Sequence, residues 1–196
     1  MPMTVHQRNY EFNTGELIKD VKTDYEYDTW GNTTKTIVKD GSIETITTNT
    51  FINNTDKWLL GRLTESTVSK SNENSTITRK SSFEYDQNSG LLTTEVFAPG
   101  NTELGYRKTY VHDNFGNIVK STVSSLDGSS ERITLTHYDA KGRYIVSSIN
   151  SLGFIETSKY NEVEGLVTAS TDKNAIVTNY TCLLYTSDAA DDSLRV

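Results

Sequence analysis

Proline is almost missing from this chain of 196 residues: only Pro2 and Pro99 occur. A chain so poor in proline can run extended for long stretches without losing ladder hydrogen bonds. Cysteine occurs once, at Cys182, so no cysteine pair exists to staple the chain or hold zinc. No apolar run approaches the length of a membrane-spanning helix. Met1 to Asn9 carry no apolar h-region, so no signal peptide is expected from them. There is no Lys/Arg cluster, and the formal charge is −7, which argues against a nucleic-acid surface. Hydrophobic residues make up 34%, little for a compact core. No segment sustains a 3.6-residue apolar period, so helices are not expected.

What is present in quantity is Thr, Ser, Asn and 11 Tyr. Thr and Tyr favour strands, and polar residues at every second position suit a sheet with at least one wet face. The most telling stretch is Tyr110-Val111-His112-Asp113-Asn114-Phe115-Gly116-Asn117-Ile118-Val119-Lys120. It reads as strand, turn, strand. Asp113 and Asn114 carry side-chain oxygens that bond turn amides, and Gly116 takes positive φ without steric cost.

That pattern recurs. Tyr27-Asp28-Thr29-Trp30-Gly31-Asn32 is the first clear copy. Tyr85-Asp86 with Gly90, His112-Asp113 with Gly116, Tyr138-Asp139 with Gly142, and Tyr160-Asn161 with Gly165 follow. Two of these, at 85 and 160, hold one extra residue before the glycine. Tyr10 to Leu17, with Gly15, reads as a shortened copy. The acidic or Asn position falls at 86, 113, 139 and 161, in steps of 27, 26 and 22. Such a period fits two strands and two turns per unit. The step from Asp28 to Asp86 is 58, room for two units, and part of it departs from the pattern.

Between the copies, Thr33 to Lys39 reads as a strand, Asp40-Gly41 as a hairpin turn, and Ser42 to Phe51 as a strand alternating with period two. Trp58-Leu59-Leu60 is the densest apolar knot before residue 182; it reads as a loop or single helical turn packing on the sheet, with a strand from Arg62. Glu73-Asn74-Ser75 reads as a turn and Ser75 to Tyr85 as a strand pair. Pro99-Gly100, Leu126 to Ser130, Ser151 to Ile155 and Asp172 to Ile176 read as further turns. The fold class expected is all-β, built of repeated antiparallel β-hairpins.

Candidate chemistry is sparse. His6, His112 and His137 lie far apart, with no metal-ligand spacing. Asp113 beside His112 is no acid–base pair, because adjacent strand residues point to opposite faces. Glu26, Asp28, Glu84, Asp86 and Asp139 could be drawn as a glycosidase pair, yet they recur where aspartate has a turn role. Asp172-Lys173-Asn174 lacks the glycine and distant glutamate of a calcium loop. Sequons at Asn32, Asn53, Asn74 and Asn179 are common in Thr/Asn-rich chains. Gly31-Asn32 and Gly116-Asn117 precede no helix and are not phosphate loops. No catalytic, cofactor-binding or metal residue is assigned, and the chain is not read as an enzyme.

The repeated Tyr-Asp-x-x-Gly-Asn/Arg, with Trp58-Leu59-Leu60-Gly61-Arg62-Leu63-Thr64 between copies, resembles the YD-repeat (Rhs) proteins, in particular the SpvB-like and insecticidal toxin complex B/C proteins. Phe83-Glu84-Tyr85-Asp86, Gly90-Leu91-Leu92-Thr93, Lys141-Gly142-Arg143 and Gly165-Leu166-Val167-Thr168 fit the same pattern, so the resemblance covers residues 7 to 181. It implies a curved β-ribbon that is a fragment of a larger shell, secreted or at the surface of a bacterium. The shell would enclose a C-terminal toxic domain. The implied partners are the rest of that shell, the enclosed domain and other toxin-complex subunits. His112 in place of Tyr, Asn161 in place of Asp, and Tyr144 after Gly142-Arg143 depart from the family pattern. The Asp-rich self-cleaving motif is absent, so autoproteolysis is not carried over.

Cys182 to Asp192 resembles the in-frame translation of a transposase sequencing adapter. On that reading residues 1–181 form a partial YD-repeat domain and 182–196 are a non-native tail. The tail holds Asp188, Asp191, Asp192 and Arg195, net −2, which leaves −5 upstream. Val177 to Thr181 is a run-up to another Tyr-Asp, and Cys182 stands where that Tyr is due. Two other functions are open at this stage. Tyr and Asn ladders on an exposed sheet would suit a carbohydrate-binding or adhesive module. A glycosidase would need a convergent carboxylate pair in a cleft.

Overall fold

The computed structural model of the chain describes residues 3–181. The proposed adapter tail from Cys182 lies outside the described residues. Within them the chain is all strand and turn: β1 (Thr4–Tyr10), β2 (Leu17–Tyr27), β3 (Thr33–Asp40), β4 (Ile43–Asn54), β5 (Leu59–Ser71), β6 (Thr76–Tyr85), β7 (Leu92–Phe97), β8 (Tyr106–His112), β9 (Ile118–Ser125), β10 (Glu131–Tyr138), β11 (Ile145–Ile149), β12 (Ile155–Tyr160), β13 (Val167–Thr171) and β14 (Val177–Asn179). They follow one another in sequence order in one sheet. Neighbouring strands pair antiparallel, as hairpin connections require.

Two expectations need correction. Ser75 to Tyr85 is one strand, β6, not a pair; its alternation Ile77-Thr78-Arg79-Lys80 runs on without a turn residue. The turn read at Trp58-Leu59-Leu60 ends at Trp58 and does not pack on the sheet as a helical turn. Strand β5 already starts at Leu59, while Trp58 stands at the turn tip, 75% exposed with φ +55°.

The described residues divide into two compact units. One runs up to Tyr110 and takes in Thr122–Glu131; the other takes Val111–Ser121 and the residues from Arg132. In the first unit one sheet face carries ion pairs directly across strands: Arg8 with Asp20, Lys35 with Glu26, and Lys39 with Glu44. These pairs are half exposed, so each contributes only ~0–1 kcal/mol. The opposite face holds Val21, Tyr25, Val38, Phe97 and Tyr106, with the Phe97 and Tyr106 rings stacked at 4.5 Å. Among the described residues Val96 is the single buried apolar side chain. A sheet with so little cover on either face cannot draw its stability from a core; it draws it from ladder bonds, cross-strand pairs and turns.

Hairpins place successive turns at alternate ends of a sheet. In the first unit the turns at 28–32, 55–58 and 86–91 share one end, and those at 11–16, 41–42 and 72–75 share the other. The stretch from Tyr10 to Leu17 therefore makes a similar hairpin at the opposite end, half a period out of phase with the Tyr27 copy.

Candidate functional site

The repeated turn is the one constellation that recurs, so its chemistry is taken first. At four of the copies the pairing register slips by one residue at the tyrosine, at Tyr27, Tyr85, Tyr138 and Tyr160. This is the bulge that a tight turn ending in a left-handed residue imposes on its strands. In the short copies the glycine amide donates to a carbonyl three residues back: Gly31 to Asp28, Gly116 to Asp113 and Gly142 to Asp139, at 3.1, 3.1 and 2.8 Å. In the long copies it reaches four back: Gly90 to Asp86 and Gly165 to Asn161, at 2.9 and 2.8 Å. The extra residue read from the sequence is thus absorbed by a wider turn.

The acidic or amide side chain closes the turn from within. Asp28 Oδ1 accepts from the amides of Trp30 and Asn32, and Asp28 Oδ2 from Asn32 Nδ2. Asp113 repeats this with Phe115 and Asn117. Asp86 takes the amides of Asn88 and Ser89 and the Ser89 hydroxyl. Asp139 takes the amides of Arg143 and Tyr144 and the Arg143 guanidinium at 3.0 Å. Asn161 accepts from the Val163 amide at 2.9 Å. Donated hydrogen bonds favour the charged carboxylate. The Asn32 side chain lowers the Asp28 pKa, and the Ser89 amide and hydroxyl lower that of Asp86. At Asp113 burial pushes upward, but the bonds from Asn117 and Phe115 outweigh it. These carboxylates are engaged as turn acceptors.

Four of these turns are also covered by a side chain from an earlier one. A Cβ on Gly142 would lie 2.4 Å from the Phe115 ring, and Asn117 Nδ2 donates to the Gly142 carbonyl at 2.8 Å. A Cβ on Gly165 would meet the Tyr144 hydroxyl at 2.7 Å. The Tyr144 ring stacks on Tyr160 at 4.7 Å. In the first unit Asn32 lies against Gly61, and Leu59 and Arg62 lie against Gly90. The departing stretch belongs to this series. Asn54 Oδ1 accepts from the Lys57 amide, Asn53 Oδ1 from the Gly61 amide, and Trp58 donates its amide to the Thr55 carbonyl, the bond a glycine makes in the short copies.

The remaining candidates are scattered. Among the described residues no group of three or more His, Cys, Asp or Glu side chains is placed to hold a metal. His6 faces Asp20 at 3.2 Å, and His137 faces the Ser147 hydroxyl at 3.1 Å. His112 ends β8 and is half-buried. Glu26 pairs with Lys35. Tyr85 donates its hydroxyl to the Leu63 carbonyl at 2.9 Å, and its ring faces the Arg62 guanidinium at 5.7 Å. The Tyr25 and Tyr27 rings lie 6.2 Å apart. Tyr110 is half-buried, and burial followed by the nearby Glu95 charge raises its hydroxyl to about 12. The sequence pointed to the turn residues but not to their coverage by Asn32, Phe115 and Tyr144. The one available signal was a large or amide side chain beside each turn glycine.

A cavity of about 640 Å³ opens in the first unit between the turns at 55–58 and 86–91. Its walls include Asp56, Leu59, Arg62, Glu84 and Asp86. Lys57 Nζ bridges the two turns, donating to the Gln87 carbonyl at 2.9 Å and to Asn88 Oδ1 at 2.7 Å. No described helix is long and apolar enough to cross a membrane.

No protein-family model matches the chain, and no curated protein matches it. Among solved structures it is similar to chains in the crystal structures of TcdB2-TccC3 and TcdB2-TccC3-Cdc42. In each case the identity is 11% and the TM-score 0.48, over 91% of this chain. The match spans 12% of each of those chains.

Proposed function

We propose that the chain is a structural, non-enzymatic segment of a secreted bacterial YD-repeat toxin shell, whose work is to help enclose a C-terminal toxic domain. The observation that carries this reading is the turn ladder. Phe115 and Tyr144 each complete the turn of the following repeat, so a repeat is finished only by its neighbour. Stability is then a sum over neighbours, as in other repeat proteins, and suits a wall extended by addition. Engagement of the repeated aspartates by their own turn amides supports a mechanical role for them. The partners on this reading are further repeats of the same shell and the enclosed domain.

Sedimentation velocity tests the reading. Among the described residues β1 and β14 have one strand neighbour each. Unpaired strand edges recruit other strands, so the chain is expected to self-associate with rising concentration. Lysine at both Val5 and Val177 is expected to reduce that association. A wild-type chain that stays monomeric and unfolds cooperatively would count against the shell.

A further inference from the structure

We propose that the turn at 53–59 and the neighbouring turn at 84–90 form a binding site for a neutral oligosaccharide. This goes beyond the mechanical reading and does not depend on it. Three observations converge there.

The first is Trp58. It closes the turn at 55–58, three residues before Gly61, with φ +55° and 75% of its surface exposed. A bulky residue in the left-handed region is strained, and glycine would remove the strain. A large exposed ring held at such a cost points to a contact made outside the fold. The second is Arg62. Its guanidinium forms neither a hydrogen bond nor an ion pair among the described residues, and its Nε is the one buried side-chain nitrogen or oxygen there without a partner. Its contact is the Tyr85 ring. The third is the cavity lined by Arg62 and by Leu59, the residue after Trp58; its walls join apolar Ile52, Leu59 and Phe83 to the carboxylates of Asp56, Glu84 and Asp86.

The wall chemistry selects the ligand class. An anion would satisfy Arg62 but would meet three carboxylates. A cation would satisfy the carboxylates and leave Arg62 as it is. A neutral polyol serves both: its oxygens accept from the guanidinium and its hydroxyls donate to Asp56 and Glu84. The C–H face of a sugar ring suits the apolar wall and an indole.

The test uses the tagged chain, checked for a β-sheet far-UV spectrum, on an array of neutral and acidic glycans, with anionic phospholipid vesicles alongside. Binding of neutral oligosaccharides is expected. With Trp30→Phe leaving Trp58 as the single indole, the same glycans should shift its emission to the blue. Trp58→Gly and Trp58→Asn, both compatible with the backbone, should each weaken binding by at least about tenfold without lowering the unfolding midpoint. Arg62→Met should also weaken it. Binding to acidic glycans or vesicles alone, no binding at all, or unchanged affinity in the Trp58 and Arg62 variants would each overturn the proposal.

Discussion

In the turn at 113–117, Asp113 gathers the amides of Phe115 and Asn117, and Gly116 turns the chain at φ +86°. In the turn at 55–58, Asn54 gathers the amide of Lys57 alone, and Trp58 turns the chain at φ +55°. Both turns close on a residue in the left-handed region, and the residue choices differ. The first turn uses the residue types that cost least. The second accepts strain and places a large ring in solvent. A bulky residue held in the left-handed region is the kind of local strain from which a functional role is inferred.

The comparison breaks most easily at the glycines of the regular copies. Gly142 has φ +67° and the Phe115 ring against it, whereas Gly153 has φ +79° and nothing within 4 Å. Gly153→Ala meets only the left-handed penalty, about 1–2 kcal/mol. Gly142→Ala adds a steric clash, so a loss of about 2–4 kcal/mol is expected. Urea unfolding in the Val5→Lys, Val177→Lys background measures both. Phe115→Ala should recover part of the Gly142→Ala loss in a double-mutant cycle. Equal losses at Gly142 and Gly153 would mean that the covering ring contributes nothing.

Asp113→Ala and Asn54→Ala form the next pair. Asp113 accepts three donors and Asn54 one. The midpoint should therefore fall further for Asp113→Ala. A reversed order would show that the irregular turn depends more on its own acceptor than its hydrogen bonds indicate.

The strands and the regular turns were legible because both are local. Alternation shows a strand, and Asp followed by Gly three or four residues on shows the turn and its width. Two kinds of feature were hidden. The copy ending at Gly61 has Phe51-Ile52 where the others have Tyr-Asp and a longer turn before its glycine, so its geometry left few familiar letters, and Trp58-Leu59-Leu60 read as packing. The covering contacts join residues such as Tyr144 and Gly165, 21 positions apart; they depend on strand register, which alternation alone does not set. The expectation of a curved shell came from resemblance, not from residue chemistry.

Acid is a milder probe of the same turns. The Ser125 hydroxyl, with the Ser129 amide, holds the Asp127 carboxyl down to about 2, and Asp28, Asp86 and Asp139 are lowered as well. A carboxylate lowered in the folded state contributes stability that is complete above its unfolded value near 3.9 and is lost as pH falls through the folded value. Stability should thus decline from about pH 4 toward 2, and Asp127→Asn should flatten the lower part of that decline. Tyr110 acts at the other extreme. Its raised value favours the neutral phenol in the fold, so stability should fall as pH climbs above about 10. A flat profile from pH 5 to 2 would show that the turn bonds survive protonation.

The smallest effect expected is also the one of opposite sign. The glycine and turn-acceptor substitutions above lower stability, whereas Trp58→Gly should raise it by up to about 1 kcal/mol, because glycine removes the left-handed penalty but loosens the unfolded chain. The ring's exposure means that little packing is lost with it. The matching exchange in a regular turn, Gly116→Trp, should destabilise by at least the penalty that Trp58→Gly relieves. If Trp58→Gly instead lowers the midpoint, the indole packs on its own turn and the strain is repaid inside the fold. If it raises the midpoint, this turn gives up stability to keep a tryptophan in solvent, and the difference between the two turns is one of function rather than of drift.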